Sequence, residues 1–460
     1  MNVELAYQAA LDYLYSFVDY SLTRNLRYSP EAFNLGRMEA LMARLGNPER
    51  QYPVVHVAGT KGKGSVSVMC ASALIAQGYH TGFYTSPHLQ EYTERIQVDG
   101  QQISKHDLVE LVDEIKPHVA AIEQLTTFEI TTALAFLYFA RRGVNAAVIE
   151  VGLGGRLDAT NVVTPLVSVI TSLSMDHMNV LGDTLALIAG EKAGIIKQGR
   201  PVVLSPQKDE ARLVVERIAS ERDSRLVEVG RNVHYAPISH SLDGQSFIVW
   251  NAKDQDLVNH YLESDQPPAW QPTRLTIPLL GHHQLENAAT AYETLQVARD
   301  EGLQISEESI AEGLATVQWP GRFEILQRKP MVLVDSAHNR DSALKLRLAI
   351  DDYLPGRPVV LLFGVSEDKD IYGMFTELMP RVRQVIATQS IHPRAMDANK
   401  LVELAHQFGV RAKAVLPLER ALDTALSAAG EDAAVVVTGS LFVAAAVREV
   451  WFHMETIVQA

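Results

Sequence analysis

Between Val54 and Ser65 the chain reads VVHVAGTKGKGS, and this stretch limits the fold more than any other. A β-branched run gives way to three glycines and two lysines, and Ser65-Val66-Ser67-Val68-Met69-Cys70-Ala71 opens a helical pattern reaching about Gln77. Strand, glycine-rich loop and helix in that order suit a nucleotide triphosphate, because glycine admits close approach and the helix N-terminus adds its dipole. The loop predicts amides of Gly62, Lys63 and Gly64 aimed at the β- and γ-phosphates. Lys63 would reach the terminal phosphates, and the Ser65 hydroxyl would lie near magnesium. The GxxxxGK[ST] pattern needs a glycine at Val57 and a hydroxyl at Gly64. At this point a plain βα turn with solvated lysines therefore remains open.

The 460 residues exceed one ordinary core, and about 150 residues per domain gives two or three. We read two, 1–318 and 323–460, parted at Gln318-Trp319-Pro320-Gly321-Arg322. Apolar residues at 47% and charged residues at 21% predict compact folding rather than disorder. The longest apolar runs, such as Ala433–Val437, fall short of the ~18 residues of a membrane span. The N-terminus carries acids where a signal peptide carries bases. A cytoplasmic, membrane-free protein is expected. Lone Cys70 allows no intrachain disulfide and reads as a small buried helix residue. A net charge of −14 disfavours nucleic acid, so an anionic substrate must meet a local basic pocket.

Helical patterns are expected at Leu5–Tyr20 and Asn34–Leu45, with a turn-rich middle, and again over 106–123, 128–141, 184–197, 208–222 and His282–Glu301. Thr81–Tyr84 predicts a strand feeding Thr85-Ser86-Pro87-His88-Leu89, a loop of phosphate- or metal-binding groups or else a surface turn. Ala146–Asn161 (AAVIEVGLGGRLDATN) places Glu150 at the carboxyl end of a parallel strand, where α/β sheets gather ligand groups. A carboxylate there can hold magnesium or be merely exposed. Strand Leu166–Thr171 leads to Ser174-Met175-Asp176-His177, and His177 reads either as a metal ligand or as a packed histidine. Lys192 stands beside Glu191 on an apolar helix face, an unusual place for a lysine. Residues 225–280 read as a β-rich, turn-rich insertion with no legible motif, ending in Leu275–Leu279. Strands at 331–335, 359–363, 384–389 and 433–438 with helices between them predict a second, smaller parallel sheet, whose first strand ends in Asp335-Ser336-Ala337-His338-Asn339. The expected fold is α/β, a larger P-loop ATPase-like domain with a mostly parallel sheet followed by a smaller Rossmann-like domain.

GTKGKGS, TSPHL, EVGLGGRLDATN, DHMNVLG, EKAGIIK, HHQLENA, PGRFE, DSAHN and VTGSLFVAAAV, in this order, resemble the folylpolyglutamate synthase and dihydrofolate synthase family, a branch of the Mur ligases. The resemblance implies ATP-dependent amide formation, in which a pteroate or folate carboxylate becomes an acyl phosphate and L-glutamate displaces phosphate. Such transfer needs charge neutralisation more than a protein nucleophile. By similarity Gly59, Thr60, Lys61, Gly62, Lys63, Gly64 and Ser65 hold ATP. Ser65, Ser86 and Glu150 serve one Mg2+, His177 joins Glu150 at a second, and Lys192 is carbamylated. Asn287 and Arg322 contact nucleotide phosphate or ribose, with Asp335 and His338 completing the pocket, and a site split between domains implies closure. Phe128, Glu129, Arg156, Asp158 and Thr160 resemble members that accept dihydropteroate. The implied partners are ATP, L-glutamate, dihydropteroate and folates, and the implied state is a monomer. Lys61 stands where relatives often have asparagine, and Ser336 where they have glycine. Three alternatives stay open: a folylpolyglutamate synthase alone, a Mur-type ligase for another acid, or a nucleotide-dependent kinase or switch without ligation.

Overall fold

The computed structural model describes residues 2–18, 34–263 and 270–459, so Asp19, Tyr20 and the turn-rich stretch 21–33 lie outside the described residues. The chain divides into two compact units. The first comprises Met1–His240, Gly244–Pro278 and Gln284–Val317, the second Ser241–Asp243, Leu279–His283 and Gln318–Ala460.

In the first unit, helices α1 (Val3–Tyr15) and α2 (Leu35–Arg44) precede β1 (Val54–Ala58), α3 (Lys63–Ala76) and β2 (Thr81–Tyr84). The hairpin β3 (Ile96–Val98) and β4 (Gln101–Gln102) follows, then α4 (Lys105–Val119), α5 (Thr127–Arg141), β5 (Ala146–Glu150) and β6 (Val167–Ile170). Next come α6 (Met178–Leu181), α7 (Leu185–Ala193), β7 (Val202–Leu204), α8 (Asp209–Glu221) and β8 (Leu226–Glu228). The strand order is β4-β3-β2-β5-β1-β6-β7-β8, parallel throughout except for the β3–β4 hairpin edge. All five residues of β1 and all five of β5 are buried, as a parallel strand covered on both faces requires. One core joins Leu14, Met38, Leu108, Phe136 and Phe139 from the helices to Ala147 and Ile149. A smaller one joins Ile170 and Val202 to Ala189 and Val215 of α7 and α8. The insertion resolves as β9 (Val233–Ser241), β10 (Gly244–Asn251), α9 (Gln255–Glu263) and β11 (Thr273–Ile277), its strands forming a separate sheet ordered β11-β10-β9. Helices α10 (His282–Asp300) and α11 (Glu307–Thr316) follow.

The second unit holds β12 (Glu324–Arg328), β13 (Met331–Val334), α12 (Arg340–Tyr353), β14 (Val359–Phe363), α13 (Ile371–Leu378), β15 (Val382–Ala387), α14 (Ala398–Gln407), β16 (Arg411–Ala414), α15 (Leu418–Ala429), β17 (Ala434–Thr438) and α16 (Leu441–Gln459). Its six strands run β12-β13-β17-β14-β15-β16, with β12 alone antiparallel. Leu346, Phe375 and Leu401 cover one face, and Leu422, Val447 and Trp451 the other. The two edge strands β12 and β16 escape the sequence pattern. β12 holds no fully buried residue and β16 is mostly exposed, so neither shows the apolar run of a central strand.

Some expected boundaries shift for local reasons. The helix expected over 184–197 stops at Ala193, with Gly194 as its cap. Leu5–Tyr20 gives a described helix ending at Tyr15.

Candidate functional site

Four neighbouring strands of the first sheet, β2-β5-β1-β6, end together, and their carboxyl ends carry the polar residues singled out in the sequence. At the end of β1 the loop turns through Gly59 at φ +155° and Gly62 at φ +87°. A Cβ on Gly59 would lie 1.8 Å from Thr171 Oγ1, and one on Gly62 2.3 Å from Asn287 Oδ1, so both positions exclude side chains. Asn287 itself is buried and donates to Gln284 Oε1 at 2.9 Å.

Gly62 starts α3 without a side-chain cap. The first backbone bond of the helix is Val66 N–H to Gly62 O at 2.9 Å, which leaves the amides of Lys63, Gly64 and Ser65 with no acceptor four residues back. Helix geometry thus presents an uncapped positive pole where a phosphate group would sit. Thr60 and Lys61 behave differently, since both donate their amides to Ser172 O at 3.0 Å and tie the loop to the segment after β6. The Thr60 hydroxyl donates to Ser174 O at 3.2 Å. Lys61 Nζ meets Asp176 Oδ2 at 3.0 Å, so the extra positive charge expected of this lysine is offset by a neighbouring carboxylate.

Lys192 reaches the same loop from α7. It is only 4% exposed, and its Nζ donates to Gly59 O at 2.8 Å. Burial first, and the Lys63 charge second, pull its ammonium down to about 7, so near neutral pH much of the side chain is the free amine.

Glu150, 5% exposed at the end of β5, accepts from the Thr85 hydroxyl through Oε2 and from Ser86 N at 3.4 Å. His177 adopts a left-handed backbone before α6, with its side chain 52% exposed and its Nε2 3.9 Å from Asp176 Oδ1. Among the described residues the one group of three His, Cys, Asp or Glu with metal-ligand spacing is His106, Asp107 and Glu110 on α4, which includes neither Glu150 nor His177.

The residues expected at the acid substrate divide by environment. Asp158 is buried, taking Leu153 N at 2.9 Å on one oxygen and Thr160 N at 3.0 Å on the other. Burial raises its pKa, opposed by these bonds and by the Lys63 charge. Phe128 is half-buried, its ring 6.3 Å from that of Tyr84. Glu129 serves as the N3 residue of the α5 capping box, taking Thr126 N at 2.8 Å, and pairs with Arg37 Nε at 3.1 Å. Arg156, half-exposed, pairs with Glu191 at 2.8 Å.

In the second unit, Asp335 at the end of β13 takes the amides of Phe323 at 2.9 Å and Ala337 at 2.8 Å. Its pKa is raised by burial and held back by Arg322. Arg322 donates to Gly321 O at 3.2 Å. His338 Nδ1 bonds Ser336 O at 2.9 Å, and Ser336 donates its hydroxyl to Gly321 O at 3.1 Å.

The model of the Mur ligase middle domain matches residues 57–295, and that of the Mur ligase glutamate ligase domain residues 321–441. A dihydrofolate synthase/folylpolyglutamate synthase of Bacillus subtilis is 36% identical over 422 residues, which is 90% of this chain and 94% of that one. The chain belongs to the dihydrofolate synthase/folylpolyglutamate synthase branch of the Mur ligases. A Mycobacterium tuberculosis folylpolyglutamate synthase solved with ADP aligns at a TM-score of 0.84 and 31% identity, covering 98% of this chain and 99% of that one. The Escherichia coli family member solved with DHPP and ADP aligns at 0.83 and 31% identity, over 98% of each chain.

For this ligase branch, several groups at the site were missed in the sequence. Thr85 on Glu150, Asp176 on Lys61 and Arg37 on Glu129 are ordinary residues until the fold pairs them. Thr85 and Asp176 had a local signal, since each lies in a polar loop after a strand, whereas Arg37 had none.

Proposed function

We propose that the chain is an ATP-dependent ligase that joins L-glutamate to dihydropteroate and to reduced folates through an acyl phosphate. The observation that carries this reading is the buried Lys192 amine held against the phosphate loop at Gly59 O, beside buried Glu150 and an uncapped helix N-terminus. A simple nucleotide switch has no use for a desolvated lysine there. An enzyme that phosphorylates a carboxylate gathers two anions, and it needs cationic and metal-held charge to bring them together.

In this proposal the amides of Lys63, Gly64 and Ser65 cradle the ATP phosphates, and the Lys63 ammonium follows the transferring phosphoryl group. The oxygen donors Ser65, Ser86 and Glu150 fit magnesium, which prefers oxygen ligands, and His177 adds a nitrogen donor for a second ion. Bound magnesium would supply neutralisation of phosphate charge. Lys192, with much of its side chain as free amine, fits a carbamate, because the neutral amine is the form that reacts with carbon dioxide. Asp158 would receive the pteroyl or folyl acid, with the fully buried Thr160 hydrogen-bonded behind it. Asn287 would contribute to nucleotide binding beside the phosphate loop. The protein would act as a cytoplasmic monomer.

Phosphate release with ATP and L-glutamate, measured separately with dihydropteroate and with tetrahydrofolate, tests the reading. Release in both arms, each dependent on glutamate and matched by a glutamylated product, is the expected result. Release with tetrahydrofolate alone reduces the function to folylpolyglutamate synthesis, and release independent of glutamate overturns ligation.

A further inference from the structure

One buried side chain beneath the phosphate loop has no part in the chemistry above. His56, fully buried in the middle of β1, is flanked by Ile149 of β5 and Ser168 of β6. Its Nε2 lies 2.9 Å from Thr160 Oγ1, which in turn lies 2.5 Å from Asp158 Oδ1. The direction of this chain follows from counting protons. A threonine hydroxyl has one to give, and a carboxylate can only accept. Asp158 already accepts two backbone amides as a carboxylate does, so the Thr160 proton points to Asp158 and its lone pair faces His56. The imidazole must then carry its proton on Nε2.

The other ring nitrogen makes the same choice. His56 Nδ1 is buried with no hydrogen-bond partner. A proton there would leave a buried donor unsatisfied, a heavier penalty than a bare acceptor that Nε2–H compensates. Burial, and then the Lys197 charge, keep the ring neutral.

We propose that His56 is a positioning residue for recognition of the acid substrate: its Nε2–H locks the Thr160 hydroxyl, and that hydroxyl locks the Asp158 carboxylate toward N–H donors of the incoming acid. This rests on the reading of Asp158 as a substrate-binding group. His56 touches neither ATP nor the acid.

The first test is nitrogen-15 NMR of the full-length protein labelled at histidine, with the His56 signals identified by their loss in His56→Gln. A single Nε2–H tautomer, which loses its fixed preference in Thr160→Val, is expected. An Nδ1–H ring, or a tautomer indifferent to Thr160→Val, overturns the proposal. The second test is kinetic. His56→Leu should raise the KM for the pteroyl acid at least about tenfold, as expected for weakening a hydrogen-bonded charged contact, with the KM for ATP changed less than about twofold. His56→Gln, whose side-chain amide can stand where Nε2–H stood, should recover most of that loss. An unchanged KM in His56→Leu, or a glutamine variant no better than leucine, also overturns it. Should His56→Leu fail to fold, the tautomer of the native chain and its response to Thr160→Val still decide. A native enzyme that ligates neither acid defeats the functional reading, and the NMR result then judges the hydrogen-bond chain by itself.

Discussion

Two strand ends in this molecule have the same plan and opposite chemistry. In the first unit β1 runs through Gly59–Gly62 into α3, and in the second β13 runs through Asp335–Asn339 into α12. The second helix is closed by its own residues. Asn339 and Ser342 form a reciprocal capping box, and Asp335 is occupied by the Phe323 and Ala337 amides. The first helix begins at Gly62 with no side-chain cap. A capped N-terminus has donors already paired and offers an incoming ligand side chains. An uncapped one offers amides and its share of the helix dipole. The difference lies at the cap position, where Asn339 closes α12 and Gly62 leaves α3 without a side-chain cap.

The sharpest break would come at Lys63. Lys63→Ala should lower ATP-dependent turnover by at least about a thousandfold while leaving the melting temperature nearly unchanged, because a lysine at the first position of α3 contributes little to folding yet neutralises transferring charge. Near-native turnover would end the phosphate-loop reading.

Lys192 gives the next largest effect. Lys192→Ala should lose about a hundredfold or more in kcat and recover part of it in acetate or formate, while Lys192→Arg should not, its bulk and fixed charge filling the site wrongly. No recovery in the alanine variant would argue against an anionic group at this position.

The same residue should register in stability. Its ammonium titrates at about 7 in the folded protein against 10.5 as the ordinary value, so between these pH values the unfolded chain binds the extra proton. Stability should therefore rise from about pH 7 toward 10, with a slope from this residue of up to about 1.4 kcal/mol per pH unit. Denaturant titrations of Lys192→Met in bicarbonate-free buffer should show that slope reduced, and an unchanged slope would place the lysine in water.

Gly62→Ser tests the comparison directly, by giving α3 a cap at a residue with φ +87° and a Cβ position 2.3 Å from Asn287 Oδ1. ATP affinity should fall by about tenfold or more, from strain and from competition for the amides. Binding equal to the native chain would show that the open cap is unimportant. The smallest effect is expected from Asn339→Ala, about 1 kcal/mol of stability, or a few degrees in melting temperature, from the loss of one cap.

The strands legible in advance were those buried on both faces. VVHVA, AAVIE and VVLLF have no other sensible reading, and each forms the expected strand. Thr81–Tyr84 was legible to the residue. The edge strands were not, because Glu324–Arg328 and Arg411–Ala414 rest on pairing with a neighbour rather than on an apolar pattern of their own. Glu129, odd on an apolar helix, turns out to be a capping-box residue paired with Arg37, 92 positions earlier in the chain.

The α/β class, the glycine-rich βα loop, the two strand-end clusters and the family were legible in the sequence, because glycine spacing, β-branched runs and ordered motifs are local facts. Which charges meet depends on the folded chain. Lys61 with Asp176, Lys192 with Gly59 O, and His56 with Thr160 join residues separated by 115, 133 and 104 positions. Those contacts fix charge, tautomer and direction, and they follow from packing α7 and the Ala159–Val162 turn against β1 and its loop rather than from any pattern along the chain.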